Sequence, residues 1–144
     1  MTTTSVKPPI SFWIISALAI IWNVMGVLAF IGDLMITDEL LAQMPETERN
    51  LRAQFPEWST TVYGIATISG AIAALLMSLR KKLSHYVFLI SLLAVLVQMY
   101  YTIFVVKVAD VMGPTSLIFP IIIIGIGIFL LAYTFYALKK QWLK

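Results

Sequence analysis

The chain has no cysteine, a single histidine and little charge: Asp, Glu, Lys and Arg make up 12% of its residues, against 60% hydrophobic. Without cysteine there is no disulfide framework, no thiolate nucleophile and no cysteine-ligated metal. His85 has no acid or second histidine near it in sequence, so a metal site or a triad would need distant partners. Beside Ser84 at the mouth of an apolar run, it reads as a polar residue at the headgroup level. Asp38, Glu39, Glu46 and Glu48 fall in a polar stretch where a charge run is ordinarily solvated, and Gly125 and Gly127 lie inside an apolar run rather than in a phosphate loop. No enzyme, cofactor or metal is expected. Soluble domains carry about 25% charged residues, and a chain of 144 residues has too much surface to leave so little of it charged. A soluble domain, a disordered chain and a nucleic-acid module are thereby excluded. The pI near 9.3 reflects a net charge of only +3, with the basic residues flanking the apolar runs.

Four long uncharged stretches dominate what is present. Between Lys7 and Asp33 lie 25 residues without Asp, Glu, Lys or Arg; between Glu57 and Arg80 lie 22, between Lys82 and Lys107 lie 24, and between Asp110 and Lys139 lie 28. A helix of about 20 apolar residues crosses a hydrocarbon core of about 30 Å. Only a helix, or a closed barrel whose shorter strands alternate polar and apolar residues, satisfies its own backbone in lipid. The expected fold is an all-α membrane protein, a four-transmembrane-helix bundle forming a single domain over residues 1–144, with spans at about 11–32, 59–79, 85–106 and 117–138. The first run is too long for the h-region of a signal peptide, about 7–15 residues, and is expected to remain as an uncleaved helix.

Charge sorting orients the bundle. The N-terminal segment, the second loop and the C-terminal segment hold Lys7, Arg80, Lys81, Lys82, Lys139, Lys140 and Lys144, seven basic residues and no acid. The first and third loops hold three basic residues, Arg49, Arg52 and Lys107, and all seven acids. The positive-inside rule then places both termini in the cytoplasm. Aromatic belts are expected from Phe12, Trp13, Tyr86, Tyr136 and Trp142 on the inner side and from Trp58 and Tyr63 on the outer side.

The outer loop, residues 33–58, is expected to hold short amphipathic helices. Thr37 suits an N-cap, with Asp38 and Glu39 in the following turn. Pro45 breaks that turn or opens a new helix. Beyond it Leu51, Phe55 and Trp58 share a face, and Glu48 and Arg52 can pair at a spacing of four. The loop is either a connector packed on its own bundle or a docking surface for a partner.

No charged side chain lies inside a span, which argues against proton-driven cation antiport and leaves sodium sites built from carbonyls open. What the spans do hold is neutral and polar. Asn23 and Gln98 fall near the middles of the first and third spans, Asn23 beside Trp22 and Gln98 near Tyr100 and Tyr101. Each carboxamide either bridges helices or, with the adjoining rings, lines a site for a neutral polar solute. The two amides sit at matching places in a weak repeat of offset 75, in which Ile15, Ser16, Leu18 and Ala19 answer Ile90, Ser91, Leu93 and Ala94. Ala66, Gly70 and Ala74 form a small-residue ladder that allows close helix approach, as a core seam or as a dimer face; Gly125 and Gly127 offer a second such face. Four helices at about 8–10 Å spacing leave little room for both a solute path and a gate, so a transporter of this size is expected to work as an oligomer. Pro120 is expected in the first turn of the last span.

The stretches FWIISALAIIWNVMGVLAF (12–30), RKKLSHYVFLISLLAVLVQMYY (80–101) and QWLK (141–144) resemble a family of small four-span bacterial inner-membrane proteins, some of them loosely labelled sugar transporters. The resemblance covers nearly the whole chain and implies a bacterial inner-membrane location. It also implies transport, or facilitated passage, of a neutral, sugar-like solute. The other reading of the sequence is an accessory or structural subunit of a larger membrane complex. Expected partners are the lipid bilayer, a small neutral solute, and further copies of the chain or a larger assembly. Nucleic acid is not among them.

Overall fold

The computed structural model describes residues 6–144 and is all-helical, with no strand among the described residues. In chain order the helices are α1 (Ile10–Leu34), α2 (Asp38–Gln43), α3 (Glu46–Ala53), α4 (Glu57–Ser78), α5 (Leu83–Tyr100), α6 (Val108–Met112) and α7 (Ile118–Lys139). A π-helical turn, Tyr101–Val105, prolongs α5, and a 3-10 turn, Pro114–Leu117, leads into α7. Four of these segments are long and apolar enough to span a membrane: Ile10–Leu34, Glu57–Ser78, Leu83–Val105 and Pro114–Lys139. The shortest has 22 residues, about 33 Å at 1.5 Å per residue, enough for the hydrocarbon core. Pro120 is buried in the first turn of α7, where its missing N–H takes no bond from the helix.

The packing order follows from where the small residues lie. α4 carries Gly64, Ala66, Gly70, Ala73 and Ala74, all buried, and it packs against both α1 and α5; α5 in turn packs on α7. On the α1 side the two helices interlock in antiparallel register. The Phe30 ring covers Gly64, the Thr67 methyl lies 3.4 Å from the β-carbon position of Gly26, and the Asn23 amide covers Gly70. Each small residue thus faces a larger one, the arrangement that lets membrane helices gain dispersion contacts without a hydrophobic driving force. The Ala66–Gly70–Ala74 ladder is accordingly a seam inside one bundle. Gly125 and Gly127 do not share a face: Gly127 meets Leu92, whereas Gly125 has nothing within 4 Å of its β-carbon position.

At one end of the bundle the N-terminal segment, the α4–α5 turn and the C-terminal segment are joined. Arg80 donates through Nε to the Trp142 carbonyl at 2.8 Å and through Nη2 to the Val6 carbonyl at 2.7 Å. Lys144 N–H donates to the Arg80 carbonyl at 2.6 Å, and Lys82 N–H to the Lys144 carbonyl at 2.9 Å. Arg80 itself has φ 60, which turns the chain sharply between the two helices. Beneath this junction lies the hydrophobic core: Phe12, Ala19, Ala73, Ala74, Met77, Phe88, Leu130, Ala137, Trp142 and Leu143. Phe12, 0% exposed, stands edge-on to Trp142 and stacks on Tyr133. Phe12 and Trp142 therefore belong to the core and not to an interfacial belt, while Trp13, Tyr86 and Tyr136 remain exposed.

At the other end the loop between α1 and α4 folds as two short helices that bury no residue completely. Thr37 caps α2, its Oγ1 accepting from Leu40 N–H at 3.3 Å, and Pro45 stands at the N-cap of α3. Arg52 pairs with Asp33 at 2.6 Å rather than with Glu48. The loop turns back over the last turn of α1, which brings the Asp33 carboxylate to the guanidinium, and an exposed pair within one helix turn contributes little against it. Tyr101 lies edge-on to Trp58 at 5.2 Å and packs on Phe55, fastening the end of α5 to the start of α4. Lys107, with φ 53, then reverses the chain into α6.

Candidate functional site: a cavity among the four helices

α1 and α7 close the bundle through side chains while their backbones stay apart. Among the described residues their ring contacts are Phe12 with Tyr133 near the termini and Trp22 with Phe119 (6.4 Å between centroids) near the loops. Between these two contacts the interior is filled only on the side of the termini. On the loop side remains a cavity of about 290 Å³ to which all four spanning helices contribute. One chain therefore leaves room between its helices, at the small end of the range for ligand pockets.

Most of the lining is apolar. The floor is Phe88 and Leu130, which also belong to the hydrophobic core, and the walls include Val95, Met99, Ile123 and Ile126. Four of the polar side chains on the wall are engaged at least in part, whereas the Tyr63 hydroxyl and the Trp22 indole N–H make no hydrogen bond among the described residues. Ser91 donates to the Ala66 carbonyl at 2.7 Å, and Thr67 to the Tyr63 carbonyl at 3.0 Å. Gln98 and Ser59 hold one another: the amide Nε2 donates to Ser59 Oγ at 2.9 Å, and the hydroxyl donates back to Oε1 at 3.1 Å. Asn23 is engaged only in part. Its Nδ2 donates to the Ala19 carbonyl one turn back at 2.8 Å, and Oδ1 accepts no hydrogen bond among the described residues. One N–H of that amide is left for something else, while the oxygen rests against Gly70.

Of the residues singled out from the sequence, Asn23, Gln98 and Trp22 meet at this cavity. The two amides do not bond to one another, because α4 packs between the helices that carry them and each finds its partner elsewhere. Tyr100 and Tyr101 do not line the cavity. Tyr100 is 62% exposed on the outer face of α5 against Phe104, and Tyr101 belongs to the ring cluster with Phe55 and Trp58. A helix turns by 100° per residue, so Tyr100, two residues beyond Gln98, points to the opposite face; Tyr101 shares the face of Gln98 but lies nearly a turn nearer the loops, where Phe55 and Trp58 take it up.

Tyr63, Thr67 and Ser91 line the cavity without having been picked out for it. A signal for two of them was available. Tyr63, Ala66, Thr67 and Gly70 recur at three and four residues, so the face marked by the small-residue ladder carries Tyr63 and Thr67 with it. Tyr63, expected in the outer belt, instead meets Phe30 edge-on at 5.3 Å. His85 lies on the far side of the floor. Its Nδ1 is 3.1 Å from Thr134 Oγ1, whose own hydrogen goes to the Leu131 carbonyl, so the imidazole is the donor in that pair. No family model, curated protein or solved structure matches this chain.

Proposed function

We propose that the protein is a small multi-pass carrier of the bacterial inner membrane, with both termini in the cytoplasm, that admits a neutral small solute to the cavity between its helices. The observation that carries this reading is the cavity itself. All four spans contribute to it, and the hydrogen-bonding groups its wall leaves open, on Asn23, Gln98, Tyr63 and Trp22, are all uncharged. A site without a charged side chain holds a neutral solute without the desolvation cost that an unpaired ion would meet. The packed rings of Phe12, Tyr133 and Trp142 stop the terminal side, so the arrangement corresponds to a carrier closed toward the cytoplasm. Passage then requires the Phe12 ring to leave its place.

Ligand-dependent thermal stabilisation of the purified protein in mild detergent tests the reading, with glycerol, acetamide, glucose and 2-naphthol as probes. A solute at a hundred times its Kd adds about 2.7 kcal/mol to the stability of the folded state. At least one probe is expected to stabilise the wild type, and none the cavity-filled variants Val95→Trp and Met99→Phe. Equal responses in wild type and filled variants, or no response to any probe, would overturn the proposal.

A further inference from the structure

The chemistry of the wall and the position of the opening together narrow the solute. Resting on the carrier reading above, we infer that the cavity takes an amphiphile with an apolar body of about two rings and one or two hydrogen-bonding groups, and that it enters sideways from the lipid between α1 and α7. Size comes first. A dry apolar cavity of about 150 Å³ holds one benzene, and this one, at about 290 Å³, has close to twice that volume.

Hydrogen-bonding capacity comes second. Ser91 and Thr67 spend their hydrogens on backbone carbonyls, and the Gln98 amide is held by Ser59. What the wall leaves open is one Asn23 N–H, the second N–H of Gln98, the Tyr63 hydroxyl and the Trp22 indole N–H, enough for one or two hydroxyl, carbonyl or amide groups on the ligand. A sugar carries a hydroxyl on nearly every carbon, and those turned toward Phe88, Val95, Met99, Ile123 and Leu130 would be left without partners.

The route follows from the rim. Met25 and Phe119 border the cavity and are also 53% and 62% exposed on the outer surface of the bundle. They flank the seam of α1 and α7, where the two helices meet through rings, with Trp22 against Phe119 as its closure. On a spanning helix that outer surface faces hydrocarbon, which dissolves the ligand proposed here and excludes a sugar. The loop end beside α4 and α5 is fastened by the Ser59–Gln98 pair and the Trp58–Tyr101 contact.

Equilibrium binding of radiolabelled 2-naphthol and of glucose to the protein in lipid nanodiscs, each corrected with empty nanodiscs, tests both claims. Saturable binding of 2-naphthol is expected, weakened at least fivefold by Asn23→Leu and abolished by Val95→Trp, with no saturable glucose binding. Phe119→Ala is expected to speed release of 2-naphthol at least threefold, while the loop-end substitution Trp58→Ala leaves the release rate within a factor of two. Saturable glucose binding without 2-naphthol binding overturns the substrate class but leaves the carrier reading standing. No saturable binding of either probe overturns both. Release that answers to Trp58→Ala and not to Phe119→Ala overturns the lateral route alone.

Discussion

The carboxamide of Asn23 rests on the backbone of Gly70, at a point where any β-carbon would overlap its Oδ1. The same position lies 3.0 Å from Ser91 Oγ, so α1 and α5 both close over α4 at this one residue. Gly70→Ala is therefore expected to cost about 1–3 kcal/mol, the range for adding a methyl group to a filled interior. Shortening the opposing side chain relieves the overlap. In the double variant Asn23→Ala/Gly70→Ala the loss is expected to fall well short of the sum of the two single losses, a coupling that thermal unfolding in detergent measures. Additive losses would show that the two residues do not meet.

The reciprocal pair of Ser59 and Gln98 joins α4 to α5 near the loop end. Hydrogen bonds between membrane helices contribute about 0.6–2 kcal/mol. Ser59→Ala and Gln98→Leu are each expected to lower stability by about that much. Their double variant should lose little more than the worse single one, because either change removes both bonds. Chemical unfolding of the three variants in parallel checks this.

The ends of the spans were readable because charge is expensive in hydrocarbon: the last charged residue before each run and the first after it bracket the helices to within a few positions. Which side of a span looks inward was not readable in the same way. Lipid is as apolar as a protein core, so α1 and α7 are hydrophobic all round, and their periodicity does not separate Phe12, fully buried, from Ile14, 55% exposed. The rarer residues kept their information. Asn23 and Gln98 avoid lipid because an amide there lacks partners, and the small residues of α4 mark its crowded face. Tyr100 and Tyr101 misled because an aromatic ring is at home in a lipid-facing position or at a helix end as readily as in a pocket. The partner of Arg52 depended on how the loop folds back on α1, a relation between residues 19 positions apart that local spacing does not encode.

Arg80 holds the carbonyls of both Val6 and Trp142, and its own carbonyl accepts from Lys144. Arg80→Lys keeps the positive charge on this side of the membrane but loses the planar fork that spans the two acceptors. Hydrogen bonds from a charged donor contribute about 1.5–3 kcal/mol each. The Lys144 amide, held by the Arg80 carbonyl, is therefore expected to exchange its hydrogen at least tenfold faster in the variant. Amides in the middle of α4 should keep their wild-type rates. Hydrogen exchange followed by mass spectrometry reads both, and an unchanged C-terminal segment would show that the guanidinium does not hold it.

The absence of native cysteine makes the orientation directly testable, since any thiol introduced is the only one present. Glu48 on α3 and Lys82 in the α4–α5 turn are both exposed, so a failure to react at either site reflects the membrane and not burial in the protein. They lie at opposite ends of the bundle: Lys82 N–H bonds the Lys144 carbonyl, whereas α3 is tied through Arg52 to Asp33 at the far end of α1. Seven basic residues on the side of the termini against three on the loop side set the expected direction. In intact cells Glu48→Cys should react with a membrane-impermeant maleimide, and Lys82→Cys should react only after the membrane is permeabilised. The reverse pattern would place the termini outside. The cavity would then open toward the cytoplasmic half of the bilayer, and the Phe12 ring would close the outer half.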